Sequence, residues 1–175
     1  MSDYKRILSL DSALAVVSFQ KDGVKYERTF FASYPDSAMV WKFTADKPGM
    51  QNLTFSYGAN PEAVGKIVPD GNNGLLYTGK LKNNGMEFAL RIQAQHKGGK
   101  LKSTADGKIV AQNADEVIFI LTADTDYKIN FDPDFKDPKT YVGINPVAST
   151  KSMMDAATAR SYDELKARHQ EDYLS

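Results

Sequence analysis

Two histidines, His96 and His169, and no cysteine occur among the 175 residues. A transition-metal site gathers several imidazole or thiolate ligands at tight spacings such as H-x-x-x-H, and neither histidine has a partner so placed. His96 sits beside Lys97 and Gly98 and reads as a solvated turn residue, whereas His169 falls on the apolar stripe of a helix, where a packed ring is expected. The lack of cysteine also excludes disulfides and thiolate chemistry. No G-x-S-x-G elbow is present for a serine nucleophile. Gly71-Asn72-Asn73-Gly74 runs into Leu75 rather than into a lysine and a helix, so no phosphate-cradling loop forms there.

The acidic residues are the richest remaining source of chemistry. Asp124, Asp126, Asp132, Asp134 and Asp137 could offer oxygens to calcium or a carboxylate pair to glycosidic hydrolysis. The calcium loop requires a glycine at its sixth position and a glutamate at its twelfth, and neither falls correctly here. Aspartate beside proline is also ordinary turn chemistry, so a solvated loop is the expectation. Aromatic rings could instead stack on sugars. Alternation buries Trp41 with Met39 and Phe43, while Tyr34, Tyr57 and Tyr77 lie near turns and stand as candidate carbohydrate-binding platforms. Asn52-Leu53-Thr54 is a glycosylation triplet without a secretory signal beside it.

These residues need elements to position them. Hydrophobic residues make up 42% of the chain and charged residues 25%, close to an ordinary globular composition. A chain of this mass buries about 70% of its unfolded surface, enough for a core without staples. The net charge of zero excludes a polybasic nucleic-acid binder, which would need a strong positive field. No run approaches the length of a membrane helix, and Met1 to Leu10 is too charged for a signal peptide. Neither nucleic acid nor membrane is an expected partner.

From Tyr4 to about Tyr127 the hydrophobic period is two, with turn signals every ten residues or so. Leu14 to Gln20 and Val24 to Ser33 flank Asp22-Gly23, which tolerates the positive φ of a type I′ turn, so a hairpin is predicted. Ser37 to Thr44, Gln51 to Tyr57, Leu75 to Leu81, Met86 to His96, Leu101 to Thr104 and Lys108 to Gln112 read as further strands, and Gly58 to Pro61 as a turn. Asn60 to Gly74 reads as a loop punctuated by Pro61, Gly65, Pro69 and Gly71. Val117 to Leu121 is apolar on both faces and is predicted to be a central strand. The prediction is a mainly β, antiparallel β-sandwich over residues 1–130, then a Pro/Asp-rich loop over 131–148 and a helical linker over 149–175. Lys151 to Ala159 is expected to be helical with Ser149 or Thr150 as cap, and Ser161-Tyr162-Asp163-Glu164 fits a capping box. Tyr162, Leu165, His169 and Tyr173 then form one stripe of an amphipathic helix.

Several ordered motifs carry a family resemblance. Leu8-Ser9-Leu10-Asp11-Ser12-Ala13, Phe31-Ala32-Ser33-Tyr34-Pro35-Asp36 and Thr44-Ala45-Asp46-Lys47-Pro48-Gly49 follow one another, and Asn113 to Val117 and Ala123 to Tyr127 lie farther on. The chain resembles the N-terminal supersandwich-like domain of the family 95 glycoside hydrolases, the α-L-fucosidase family. There a strand ending in L-D-L-D-x-A leads to F-A-S-x-P-D and L-T-A-D-K-P-G, followed by an A-D-E strand and an A-x-T-x-Y turn. The tail Ser161 to Tyr173 is similar to the helix that precedes that family's catalytic α/α barrel.

The resemblance implies a domain that starts inside the family's sandwich, after strands bearing G-N-G-x-L-G and N-E-D-x-x-W, and stops before the barrel. The barrel holds the general-acid Glu and the Asp and Asn residues that handle the attacking water, with inversion and without a metal cofactor. No position here matches them, so no catalytic residue, metal ligand or cofactor is carried over. The resemblance thus implies a non-catalytic scaffold for a helical catalytic domain, with Tyr162, Leu165, His169 and Tyr173 as the interdomain contact. A stand-alone carbohydrate-binding module is the alternative. Strands missing from the sandwich would leave a sheet edge open to self-association. Family members are often secreted or periplasmic, and this chain alone gives no location.

Overall fold

The computed structural model describes residues 1–58, 60–131, 136–137 and 139–175. Ala59, within the expected turn from Gly58 to Pro61, lies outside them, as do Asp132, Pro133, Asp134 and Pro138 of the Pro/Asp-rich loop. Asp22 and Gly23 both take positive φ, 52° and 72°, the geometry that matches a tight turn to the twist of its strands. Across it β2 (Leu14–Lys21) pairs antiparallel with β3 (Val24–Ser33), from Lys21↔Val24 to Ala15↔Phe30. β1 (Ser2–Ser9) joins the outer side of β2. β4 (Ala38–Ala45) follows β3, and β5 (Gln51–Ser56) leaves for a second sheet. β6 (Ala63–Pro69), β7 (Gly74–Leu81) and β8 (Glu87–Lys97) form a meander. β9 (Lys100–Ser103) and β10 (Lys108–Ala114) join β5, and β11 (Glu116–Thr125) returns between β4 and β8.

The result is an eight-stranded sheet in the order β1-β2-β3-β4-β11-β8-β7-β6 and a three-stranded sheet β5-β10-β9. Mainly antiparallel β structure is as the periodicity predicts. β11 is central, and its two faces feed two different cores. Val117 and Phe119 point into the space between the sheets with Leu75, Ile92, Ala94 and Ile109. Ile118 and Ile120 point the other way and meet Leu14, Phe31, Val40, Met154 and Leu165 beneath the helices. Buried on both sides, such a strand has no polar face to show.

The expected loop from Asn60 to Gly74 instead contains β6, an edge strand in register with β7 from Ala63↔Leu81 to Pro69↔Leu75. Its punctuation has a packing cause. Gly65 lies opposite Gly79, and a Cβ on Gly79 would come within 2.6 Å of the Val64 carbonyl oxygen and 2.7 Å of the Phe88 ring. A Cβ on Gly65 would lie 2.6 Å from the Tyr77 ring. Glycine in a strand here marks close approach of backbone and rings, not a turn.

The first helix also begins earlier than expected. α1 spans Pro146–Thr158, and its N-cap is Asn145, whose side chain accepts from Val147 N at 2.9 Å. Pro146 at the first helical position needs no N–H partner. Thr150 is instead buried in the helix and donates to the Pro146 carbonyl at 2.8 Å. α2 (Tyr162–Leu174) starts at the predicted capping box, with Ser161 N donating to Glu164 Oε2 at 2.7 Å and Glu164 N to Ser161 Oγ at 3.2 Å.

The stripe on α2 corrects an expectation. Leu165 is fully buried and His169 is 7% exposed, because α2 lies on β3 of the same chain. Tyr162 packs edge-on to Phe31 at 5.9 Å between ring centroids. Tyr162, Leu165 and His169 therefore have a cover already, and only Tyr173, at 47% exposure, still faces outward. Leu165→Ala is expected to cost about 3 kcal/mol, the loss of a buried leucine plus its cavity. Urea unfolding followed by circular dichroism measures it, and an unshifted midpoint would mean that α2 is not seated on the sheet.

Candidate functional site

The residues with the most chemical potential converge on seats and turns. Asp36 lies in the β3–β4 turn with its side chain wholly buried. Its carboxylate accepts from Ser33 Oγ at 2.7 Å and from Arg168 Nε at 2.8 Å, and Arg160 Nε lies 3.7 Å away. Arg168 also donates to the Pro35 carbonyl at 3.4 Å. Ser33, Pro35 and Asp36 thus form a socket for two arginines of the helical tail. A buried charge is tolerated only when it is paired and hydrogen-bonded in this way.

The next motif is held by the same helix. Ser12 Oγ donates to Ser9 Oγ at 2.7 Å, and Ala13 takes a positive φ of 50°. That turn aims the Ala13 carbonyl at His169, whose Nε2 donates to it at 3.0 Å while the ring stacks on Phe31 at 5.0 Å. His169 is a packed, hydrogen-bonded ring, as its place on the stripe predicts. Lys42 lies 4.4 Å from the centroid of the Tyr162 ring and pairs with Glu116 at 2.7 Å. Lys97 reaches the other oxygen of Glu116 at 2.9 Å. Burial alone would raise the Glu116 carboxyl, but the hydrogen bonds and charges of Lys42 and Lys97 outweigh it and hold the group below the usual carboxylate range.

The other acids follow suit. Asp46 Oδ1 accepts from Lys25 N at 2.9 Å, and Asp115 Oδ1 accepts from Gly49 N at 2.6 Å, closing the turn that precedes β5. Asp124 accepts from the Ser149 hydroxyl on α1 and from Thr125 N, and Asp126 accepts from Glu87 N at 2.9 Å. Asp137 caps a turn through Lys139 N at 2.8 Å, whereas Asp132 and Asp134 lie outside the described residues. Among the described residues no three histidine, aspartate or glutamate side chains gather to hold a metal ion.

The three candidate tyrosines do not form one platform. Tyr34 stands in the β3–β4 turn at 85% exposure. Tyr57 and Tyr77 lean on each other at 5.5 Å within an aromatic row that continues through Phe55 and Phe88. Among the described residues Tyr57 Oη is buried without a hydrogen-bond partner, and burial pushes its phenol far up. Trp41 packs against the inter-sheet core, as predicted. Sequence reading missed the segment between β11 and α1. There Tyr127 stacks on Tyr141 at 6.0 Å and bridges Val142. Tyr127, Ile129, Phe131, Val142 and Ile144 are 52–88% exposed. The signal was present as apolar residues in a segment rich in proline and aspartate, but no period marks a partnered face there.

In this antiparallel sandwich Asp36, Asp46, Asp115, Glu116, Asp124 and Asp126 each hold a turn, strand or helix in place. The chain belongs to the family described as glycosyl hydrolase family 65, N-terminal domain, which matches residues 1–130. It is 27% identical over 194 residues to "Alpha-L-fucosidase 2" of Arabidopsis thaliana, covering 98% of this chain and 22% of that protein. It is 28% identical over 180 residues to "Probable alpha-fucosidase A" of Aspergillus niger, covering 97% and 22%. A solved structure titled "Putative kojibiose phosphorylase from human microbiome" shares the fold. Its TM-score is 0.62 at 13% identity, and the match covers 99% of this chain and 24% of that one. The chain thus spans about a fifth of the length of these curated relatives.

The socket and the glutamate each give a measurable expectation. Asp36→Ala is expected to cost about 3 kcal/mol, since it leaves Ser33 and two arginines without their acceptor; chemical denaturation reads it, and a loss below about 0.5 kcal/mol would refute the role. Glu116 is depressed in the folded state, so its stabilisation is complete above its unfolded pKa and fades as pH falls through the folded one. Glu116→Gln should therefore be less stable than the parent at neutral pH, with the gap closing in acid. A gap that stays constant across the acid limb would contradict that assignment.

Proposed function

We propose that this domain is the non-catalytic N-terminal scaffold of a family 95-like α-L-fucosidase, and that it supports and orients a helical catalytic domain. The observation that carries the reading is the commitment of its acids. General acid–base catalysis needs a carboxyl or imidazole poised toward substrate, whereas Asp36, Asp115, Glu116 and Asp124 are each occupied by donors of their own chain. The fucosidase names of two relatives, and their much greater length, support a partner domain. The motif order supports family 95 in particular.

The contact surface we propose is not the α2 stripe, which is covered. It is the apolar segment around Tyr127, Ile129, Phe131, Val142 and Ile144. Exposed apolar clusters of this kind mark interaction surfaces. A free-standing carbohydrate-binding module finds less support, since Tyr57 and Tyr77 are packed into the aromatic row.

The test is hydrolysis of an aryl α-L-fucoside by the purified chain, alone and with the Aspergillus niger relative lacking the segment that matches this chain. Turnover is expected only in the mixture, and turnover by the chain alone would overturn the reading. Phe131→Ser combined with Ile144→Ser should leave stability within about 0.5 kcal/mol, as surface changes do, yet weaken the association measured by calorimetry.

A further inference from the structure

The two sheets are of unequal width, and the mismatch leaves half of one face open. The small sheet rests on β4, β7 and β8. Phe55 lies 6.0 Å from Trp41 and 5.6 Å from Phe119 between ring centroids, which fixes β5 over β4 and β11. On the same face, over β1, β2 and β3, Tyr4, Arg6, Val17, Phe19, Arg28 and Phe30 line an open trough of about 480 Å³. Tyr4 is 56% exposed and Leu8 67%. A sandwich covers such a face with a second layer about 10 Å away. β5 is the end strand of the small sheet, and its outer edge borders this half. A strand added to that edge would extend the small sheet over β3 toward β1, with backbone bonds from β5 and every second side chain in the trough.

The trough specifies the strand's chemistry. Arg28 sits among the rings of its floor, the guanidinium carbon 5.1 Å from the Phe19 centroid and 5.6 Å from that of Phe43. Among the described residues neither Arg28 nor Arg6 has an ion-pair partner. An occupant must therefore bring apolar side chains and at least one carboxylate on its inward row. A second copy fits less well, because stacking two such faces would bring unpaired guanidinium groups together.

We propose that the open β1–β3 face and the free edge of β5 form a strand-acceptor site for an extended polypeptide segment whose inward row combines apolar residues with a carboxylate. Met1 itself lines the trough, so a probe strand can be tethered there at high effective concentration. The probe is Thr-Val-Thr-Glu-Thr-Val-Thr joined to Met1 by a Gly/Ser linker, and its control carries Lys in place of Glu. Hydrogen exchange of the Asn52 to Ser56 amides is expected to slow at least about tenfold in the Glu fusion and little in the control, with both proteins monomeric by light scattering. Exchange unchanged in both fusions would overturn the site. Equal protection by the Lys strand would overturn its acidic preference. Dimerisation of the parent chain with β5 already protected would replace the proposed segment with a second copy.

Discussion

The placement of the helical tail depends on one buried carboxylate. Asp36 has no exposed side-chain surface, and an ion so desolvated is tenable only if donors surround it. Ser33 supplies one from its own turn, and Arg168 and Arg160 supply the others from a tail more than 120 residues away in sequence. Around that anchor stand two lesser attachments, His169 on the Ala13 carbonyl and the Lys42 ammonium over the Tyr162 ring. Leu165 fills the apolar centre between them. A helix of 13 residues is marginal by itself in water, so its existence and its position are one tertiary event. The polar bonds fix register, while apolar burial supplies most of the energy.

The same division of labour recurs around the sheet. α1 is seated by Ser149 on Asp124 and by Thr122 Oγ1 on the Thr150 carbonyl at 3.0 Å, with Met154 and Ala157 fully buried beneath it. The turn before β5 is closed by Asp115, and the neighbouring Glu116 ties β4 to β8 through Lys42 and Lys97. Adjacent acids at the head of β11 thus face opposite sides, as strand alternation requires. One holds the route into the small sheet, and the other braces the large sheet beneath the start of α2.

Much of this was legible in the sequence because it is local or periodic. The β2–β3 turn, the double apolar character of β11 and the capping box of α2 each arise from a handful of neighbouring residues. β6 was not legible. Gly65 and Pro69 look like loop punctuation until Gly65 is known to lie against Tyr77 and Gly79, and Pro69 opposite Leu75, and that pairing is non-local. The start of α1 went to Asn145 rather than to Ser149 or Thr150, since both of those hydroxyls have tertiary or intrahelical uses. The α2 stripe was correctly seen as amphipathic, but periodicity tells that a face will be covered and not by what. Its cover is β3 of the same chain. The arginine pair of α2 and the preceding turn, Arg160 and Arg168, gave no recognisable sign, because their partner Asp36 lies across the whole length of the domain.

Acids that act on substrate and acids that hold a fold make opposite demands on their surroundings. A catalytic carboxyl gains from an environment that leaves it incompletely satisfied, so that its proton affinity can be set by the reaction. Asp36, Asp115, Glu116 and Asp124 are met by hydroxyls, backbone N–H groups and cations of the chain itself, and Glu116 is displaced toward permanent ionisation. Freeing Asp36, Asp115 or Asp124 for chemistry would release a turn or a helix. The motifs that run through this domain are therefore intelligible as joints: F-A-S-x-P-D is the socket of α2, the S-L-D-S-A turn presents the carbonyl for His169, and A-D-E pins the crossing between sheets. Two surfaces are left for a partner among the described residues: the exposed apolar cluster before α1, and the trough over β1–β3, where apolar side chains surround the guanidinium groups of Arg6 and Arg28.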